Sequence, residues 1–343
     1  MLASSQTREL LADAPFVVLL AARTISMLGM AFAPVALAFS ILALPGADAG
    51  TLSIVLAAQT IPLVAFMLVG GVVADRYPRS LVLLWGQLLA ASAWSVIGAM
   101  LLTGYTPLWL LCVASAIAGM SGAAVYLAQP EGSPLRQLVD GWGEFRSRQW
   151  LFVCVLQWAV LLMVLQASQG VLGPVVAKAE LGGAPGWTAV LAGEALGAIV
   201  GVAIAMAWRP ERPILVATLL TFAAAAPQLL LGVSAPLWVV VVSAFLTGIA
   251  FDLFGVLWMT TMQQEVPAES LSRVASYDAL GSLMLGPVGL LLAGPAATLF
   301  GVHNALIGTG VVSIATTVFA LCFPDVRRLR SRHRAAPDVA RAA

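Results

Sequence analysis

Ten stretches of about 20 or more mostly apolar residues follow one another along this chain, separated by short gaps. They lie at 15–44, 51–74, 81–103, 107–128, 150–175, 187–208, 213–233, 236–260, 274–298 and 303–323. A helix crossing about 30 Å of hydrocarbon needs roughly 20 such residues, because its backbone must satisfy its own hydrogen bonds there. A mean hydropathy of +0.98 with only 10% charged residues rules out a soluble domain, which could not bury so much apolar surface. Runs such as 238–246 do not alternate between apolar and polar residues, so strands of a membrane barrel do not fit. The sequence therefore predicts an all-α membrane protein of about 10 transmembrane helices.

The expected order is a cytoplasmic N-terminus (1–14), a four-helix half (15–128), a cytoplasmic linker (129–149), a six-helix half (150–323) and a basic cytoplasmic tail (324–343). The first 14 residues carry Glu9 and Asp13, so the first apolar stretch reads as an uncleaved anchor and not a signal peptide. Of the 17 Lys and Arg, all but Lys178 and the intrahelical Arg23 fall on one side if the N-terminus is cytoplasmic. That excess puts both termini in the cytoplasm. The tail at 327–334 then reads as a topology lock or a contact for anionic lipid, not as a nucleic-acid patch.

The chain also repeats itself. Pro107-Leu108-Trp109 precedes Gly119, and Pro236-Leu237-Trp238 precedes Gly248 at the same distance, an offset of 129 (238 − 109). Arg76 and Arg79 recur as Arg209 and Arg212, an offset of 133 (209 − 76). Two homologous halves account for both, as in transporters built from parallel repeats. The second half continues for two more helices after Gly248, whereas the first runs into the linker. Gln129-Pro130-Glu131 marks the place where a helix pair is missing.

The segment Gly71-Val-Val-Ala-Asp75-Arg76-Tyr-Pro78-Arg79-Ser80 resembles the loop signature of the major facilitator superfamily, with Pro78 and Ser80 departing from it. Trp142–Arg148, Leu172–Lys178 and Gln263–Asp278 are similar to the drug- and siderophore-exporter branch called DHA3. The resemblance implies a 4 + 6 bundle in place of 6 + 6, lacking the family's fifth and sixth helices, in a bacterial inner membrane. It implies secondary-active, proton-coupled efflux of a small hydrophobic or amphipathic compound by alternating access. Gly71, Asp75, Arg76 and Arg79 would form the cytoplasmic gate, with Asp75 braced on the helix start near Ser272–Ser276. Gly286, Pro287 and Gly289 would be the helix-11 copy of the Gly-Pro motif, whose first-half copy is absent. A remnant that no longer transports, or that partners a complete transporter, is the alternative.

Ionisable residues within apolar stretches need a reason. Glu194 is a candidate for proton coupling or for contact with a cationic substrate, and also reads as a cavity-facing polar residue without a dedicated role. Asp252 reads as a cavity residue or half of an ion pair; Arg23 is likewise a candidate proton or substrate residue, and its long stem also lets it snorkel to the cytoplasmic interface or pair with an acid such as Asp252. Asp278, expected near a helix start, would stabilise that terminus. Gln166 and Gln169, three apart, should share a face and contact substrate, while Gln157 should face elsewhere. Interhelical hydrogen bonding accounts equally well for these glutamines. Trp109, Trp150, Trp187, Trp208 and Trp238 near helix ends should be interfacial anchors. The spacing Gly193…Gly197…Gly201 permits close packing.

Cys112, Cys154 and Cys322 are scattered within helices, and His303 and His333 lie apart. The sequence thus suggests no disulfide framework, metal site or enzymatic cluster. It lacks a nucleotide-binding phosphate loop and calls for no cofactor. The expected partners are the lipid bilayer, a small-molecule substrate and protons.

Overall fold

A computed structural model describes residues 17–18, 29, 32–69, 78–127, 145, 148–208 and 210–329. Every element among them is helical: α1 (Phe32–Leu42), α2 (Ala49–Val69), α3 (Arg79–Thr103), α4 (Leu108–Leu127), α5 (Gln149–Glu180), α6 (Ala184–Ala207), α7 (Pro213–Gly232), α8 (Leu237–Glu265), α9 (Ala268–Leu283), α10 (Gly286–Phe300), α11 (Val302–Leu321) and α12 (Pro324–Arg328). Eight helical segments among the described residues are long and apolar enough to cross a membrane, with α9 and α10 contributing one of them as Tyr277–Phe300. The expected first and fourth spans contain shorter apolar helices, Phe32–Leu42 and Leu108–Ala123. The protein is an all-α, multi-pass membrane protein.

Glycines set which helices touch. A Cβ at Gly197 would fall on the Phe245 carbonyl oxygen, and one at Gly248 on the Glu194 carbonyl, so α6 and α8 approach backbone to backbone. Gly193 and Gly201 meet the carbonyls of Val241 and Ile249 in the same way, so the expected small-residue packing is present. In the first half, Gly119 of α4 lies against the Gln59 carbonyl of α2.

The most enclosed span is α5, whereas α3 turns Trp85 and Leu102 outward, 67% and 90% exposed. Apolar exposure of that kind suits contact with lipid. Inside α5 the helix widens to a π-turn over Gln166–Leu172 before tightening again at Gly173. The first four helices meet the later ones along α2 and α10: the Ser53 hydroxyl donates to the Leu290 carbonyl and accepts from the Gly294 amide, while Lys178 Nζ donates to the Leu42 carbonyl. One apolar core runs through this junction from Ile41 and Leu52 to Val171 and Leu290.

Three expectations change. The helix containing Asp278 begins at Ala268, not 274, so Asp278 lies well inside α9 and caps no terminus. Gln166 and Gln169 diverge, because the wide π-turn holds more residues per turn and a three-residue step no longer returns near the same face. Gln166 approaches Gly286, while Gln169 reaches α6. Finally, Trp150 and Trp187 are buried packing residues; Trp109, Trp208 and Trp238 are exposed, as interfacial anchors would be.

Candidate functional site

Two cavities with a few polar groups in mostly apolar walls lie among α5–α9. The larger, about 330 Å³, opens between α5, α8 and α9. On α8, Phe251, Phe254 and Trp258 recur at helical spacing and form one stripe. Trp158 of α5 stacks on Phe254 with ring centroids 4.5 Å apart and planes within 5°. Phe254 in turn lies nearly parallel to Trp258. Facing them, Asp278 and Ser282 stand four residues apart on α9, and Asp252 comes from α8. Trp258 Nε1 donates to Asp278 Oδ2 at 3.0 Å. Lining aromatic faces and two carboxylates can hold an organic cation by charge and cation–π attraction, and the volume suits a small ligand.

The smaller cavity, about 20 Å³, lies between α5, α6, α7 and α8. Glu194 sits about 15 Å along α6 at 1.5 Å per residue, where Gln169 Nε2 donates to its carboxylate at 3.2 Å. Gln228 of α7, 2% exposed, accepts from the Ser313 hydroxyl of α11 at 3.1 Å. Gln228 lines the same cavity, and its buried Nε2 has no hydrogen-bond partner among the described residues.

Of the residues singled out from sequence, Glu194 and Gln169 come together, and so do Asp252 and Asp278. Gln166 belongs to neither cavity lining and instead faces the Gly-Pro break. At that break Gly286 and Pro287 open α10, and Gly289 backs onto the Met163 carbonyl of α5. A proline in the first turn costs no hydrogen bond, since its amide would be unpaired there anyway. Gln157 is wholly interhelical, donating to Thr221 Oγ1 at 2.8 Å and to Thr317 Oγ1 at 3.4 Å. Gly71, Asp75, Arg76 and Arg23 lie outside the described residues; Arg79 opens α3, and its side chain is not described.

Sequence reasoning missed Gln228 and the aromatic stripe. Gln228 is a lone amide in an apolar run, and the rule that singled out Glu194 applies to it equally. The stripe lies in a run that is apolar on every side, where hydropathy gives no sign of which rings face a cavity. No protein-family model matches the sequence, and no curated protein matches it significantly.

Proposed function

We propose that this protein is a secondary-active transporter of the major facilitator type that exports a small amphipathic cation in exchange for protons. The observation that carries this reading is the 330 Å³ cavity, where Asp252 and Asp278 stand beside the rings of Trp158, Phe254 and Trp258. Carboxylates within a membrane-embedded bundle are costly unless matched by positive charge. No Lys or Arg among the described residues lines this cavity, so a cationic ligand fits the requirement. The stacked rings supply flat apolar surface for the rest of such a molecule.

The repeated halves support alternating access, with the cavity exposed to one side and then the other. The one-sided distribution of basic residues supports both termini inside, and the family resemblance supports the cytoplasmic membrane of a bacterium. Glu194, apart from the aromatic cavity, is the candidate coupling acid.

The test is ethidium efflux from a pump-deficient bacterium expressing the chain, alongside Asp252→Asn and Trp158→Ala at matched membrane levels. Gradient-dependent efflux that falls about tenfold or more in either variant, the loss of roughly one ion-pair or cation–π contact, supports the reading. If well-inserted protein neither exports nor binds ethidium or any other lipophilic cation in a panel, the cavity has another role.

A further inference from the structure

The polar groups of the smaller cavity match one occupant. Gln228 Nε2 is a buried donor without an acceptor among the described residues. Glu194 lines the same space and presents carboxylate oxygens, which only accept when ionised. Ser168 of α5 also lines the cavity; its hydroxyl spends its proton on the Leu165 carbonyl at 3.1 Å, leaving lone pairs free to accept. A donor on one side and acceptors on the others require a molecule that can do both. About 20 Å³ suffices for one water and excludes larger polar ligands.

We propose that Gln228, Glu194 and Ser168 enclose a structural water that accepts from the Gln228 amide and donates to the Glu194 carboxylate and the Ser168 hydroxyl. The site extends a polar chain across the half: Gln169 to Glu194, through the water to Gln228, then to Ser313 on α11. Glu194 is the only titratable residue lining the cavity among the described residues. The water is therefore the immediate partner through which that carboxyl gains or loses a proton, and Gln228 is its positioning residue. The proton role rests on the transport reading above; the hydration does not.

Radiolytic hydroxyl labelling of the purified full-length protein tests the water directly, since radicals made at a bound water mark the side chains around it. Leu165, Val190 and Leu231 line the cavity and are shielded from bulk solvent, as Leu161 is outside it. The expected result is labelling of these three several-fold above Leu161, lost in Gln228→Leu and in Glu194→Leu. Two variants on different helices keep the test usable if one fails to fold, which a rise in labelling of the buried Leu161 reports. Cavity residues labelled no more than Leu161 would overturn the site, and labelling unchanged in both folded variants would overturn the assignment of its partners. A labelled cavity in a protein that moves no proton would retire the coupling role alone.

Discussion

The packing of α2 against α4 and that of α6 against α8 are the same device used twice. Gly119 seats on the carbonyl of Gln59 and Gly248 on the carbonyl of Glu194, so Gln59 and Glu194 occupy matching places, 135 residues apart (194 − 59). The helix starts agree: Ala49 with Ala184 at the same offset, and Leu108 with Leu237 at 129. The difference lies in what each copy adds. Around Glu194, α6 carries Gly193, Gly197 and Gly201, whereas the matching positions of α2 are Ala58, Pro62 and Phe66. The contact that fixes the backbone is held in common, while the acid and the extra glycines belong to one copy. A scaffold set by backbone contact leaves side-chain chemistry free to differ between repeats.

The largest effect should come from the shared contact. Gly119→Leu and Gly248→Leu each force a side chain onto a facing backbone carbonyl, where neither helix has a flexible group to yield. Each should cost about 3 kcal/mol or more, the upper range for overpacking, seen as lower thermal midpoints in detergent. Similar losses support equivalence of the two contacts. Collapse of the Gly248 variant alone would mean that the glycines of α6 dominate, and that the first-half contact is incidental.

A second difference separates α3 from its counterpart α7. The helix α3 runs continuously, while α7 tightens to a 3₁₀ turn at Thr221–Ala224. There the Gln157 amide bonds Thr221 and Thr317, whose hydroxyls are 2.9 Å apart, and ties α5, α7 and α11 together. Gln157→Leu removes both amide hydrogen bonds, while Thr221 and Thr317 keep the Thr218 and Ser313 carbonyls, and should cost about 2 kcal/mol. Gln157→Glu at low pH, where the neutral acid can still donate, should recover part of that loss; no recovery would make shape and not hydrogen bonding the reason for Gln157.

Helix existence was legible because hydropathy over 20 residues reports it directly. The close helix pairs were legible because Gly193, Gly197 and Gly201 leave no side chain to intervene. Rotation was not. Helices apolar on every side give no periodic signal of which face is inward, so Trp187 passed for an anchor and Gln228 went unnoticed. The π-turn in α5 has no residue signature of its own, and it alone separates Gln166 from Gln169. Asp278 was misplaced for a simpler reason: the first turns of α9 are polar and fall below the hydropathy that marked helix starts.

Moving the acid between the copies gives a third, smaller effect. Glu194→Gln should reduce proton-dependent efflux about tenfold or more, equivalent to 1.4 kcal/mol. Adding Gln59→Glu to that variant should not restore it, because Gln59 has no Gln169 opposite it. Restoration would show that either copy can hold the coupling acid and that the asymmetry is without consequence.

The smallest expected effect is at the helix starts, where the copies again differ at matching positions, Asp48 and Gly183. The Asp48 carboxylate caps α2, accepting from the Thr51 amide at 2.8 Å and its hydroxyl at 3.0 Å. Gly183 precedes α6 at φ 78° with no side-chain cap. The Thr51 amide and then its hydroxyl hold the Asp48 carboxyl below the usual carboxylate range. A native pKa below the unfolded one contributes stability that is complete near neutral pH and is lost as pH falls through the native value. Asp48 is exposed, so Asp48→Ala should cost no more than about 1 kcal/mol. Amide-exchange protection factors in the first turn of α2 should drop in this variant near neutral pH. They should converge with those of the parent as pH falls through the lowered native value and the carboxyl protonates, while the first turn of α6 is unaffected. An equal drop at both pH values would assign the cap to side-chain shape, and the difference between the two helix starts would then owe nothing to charge.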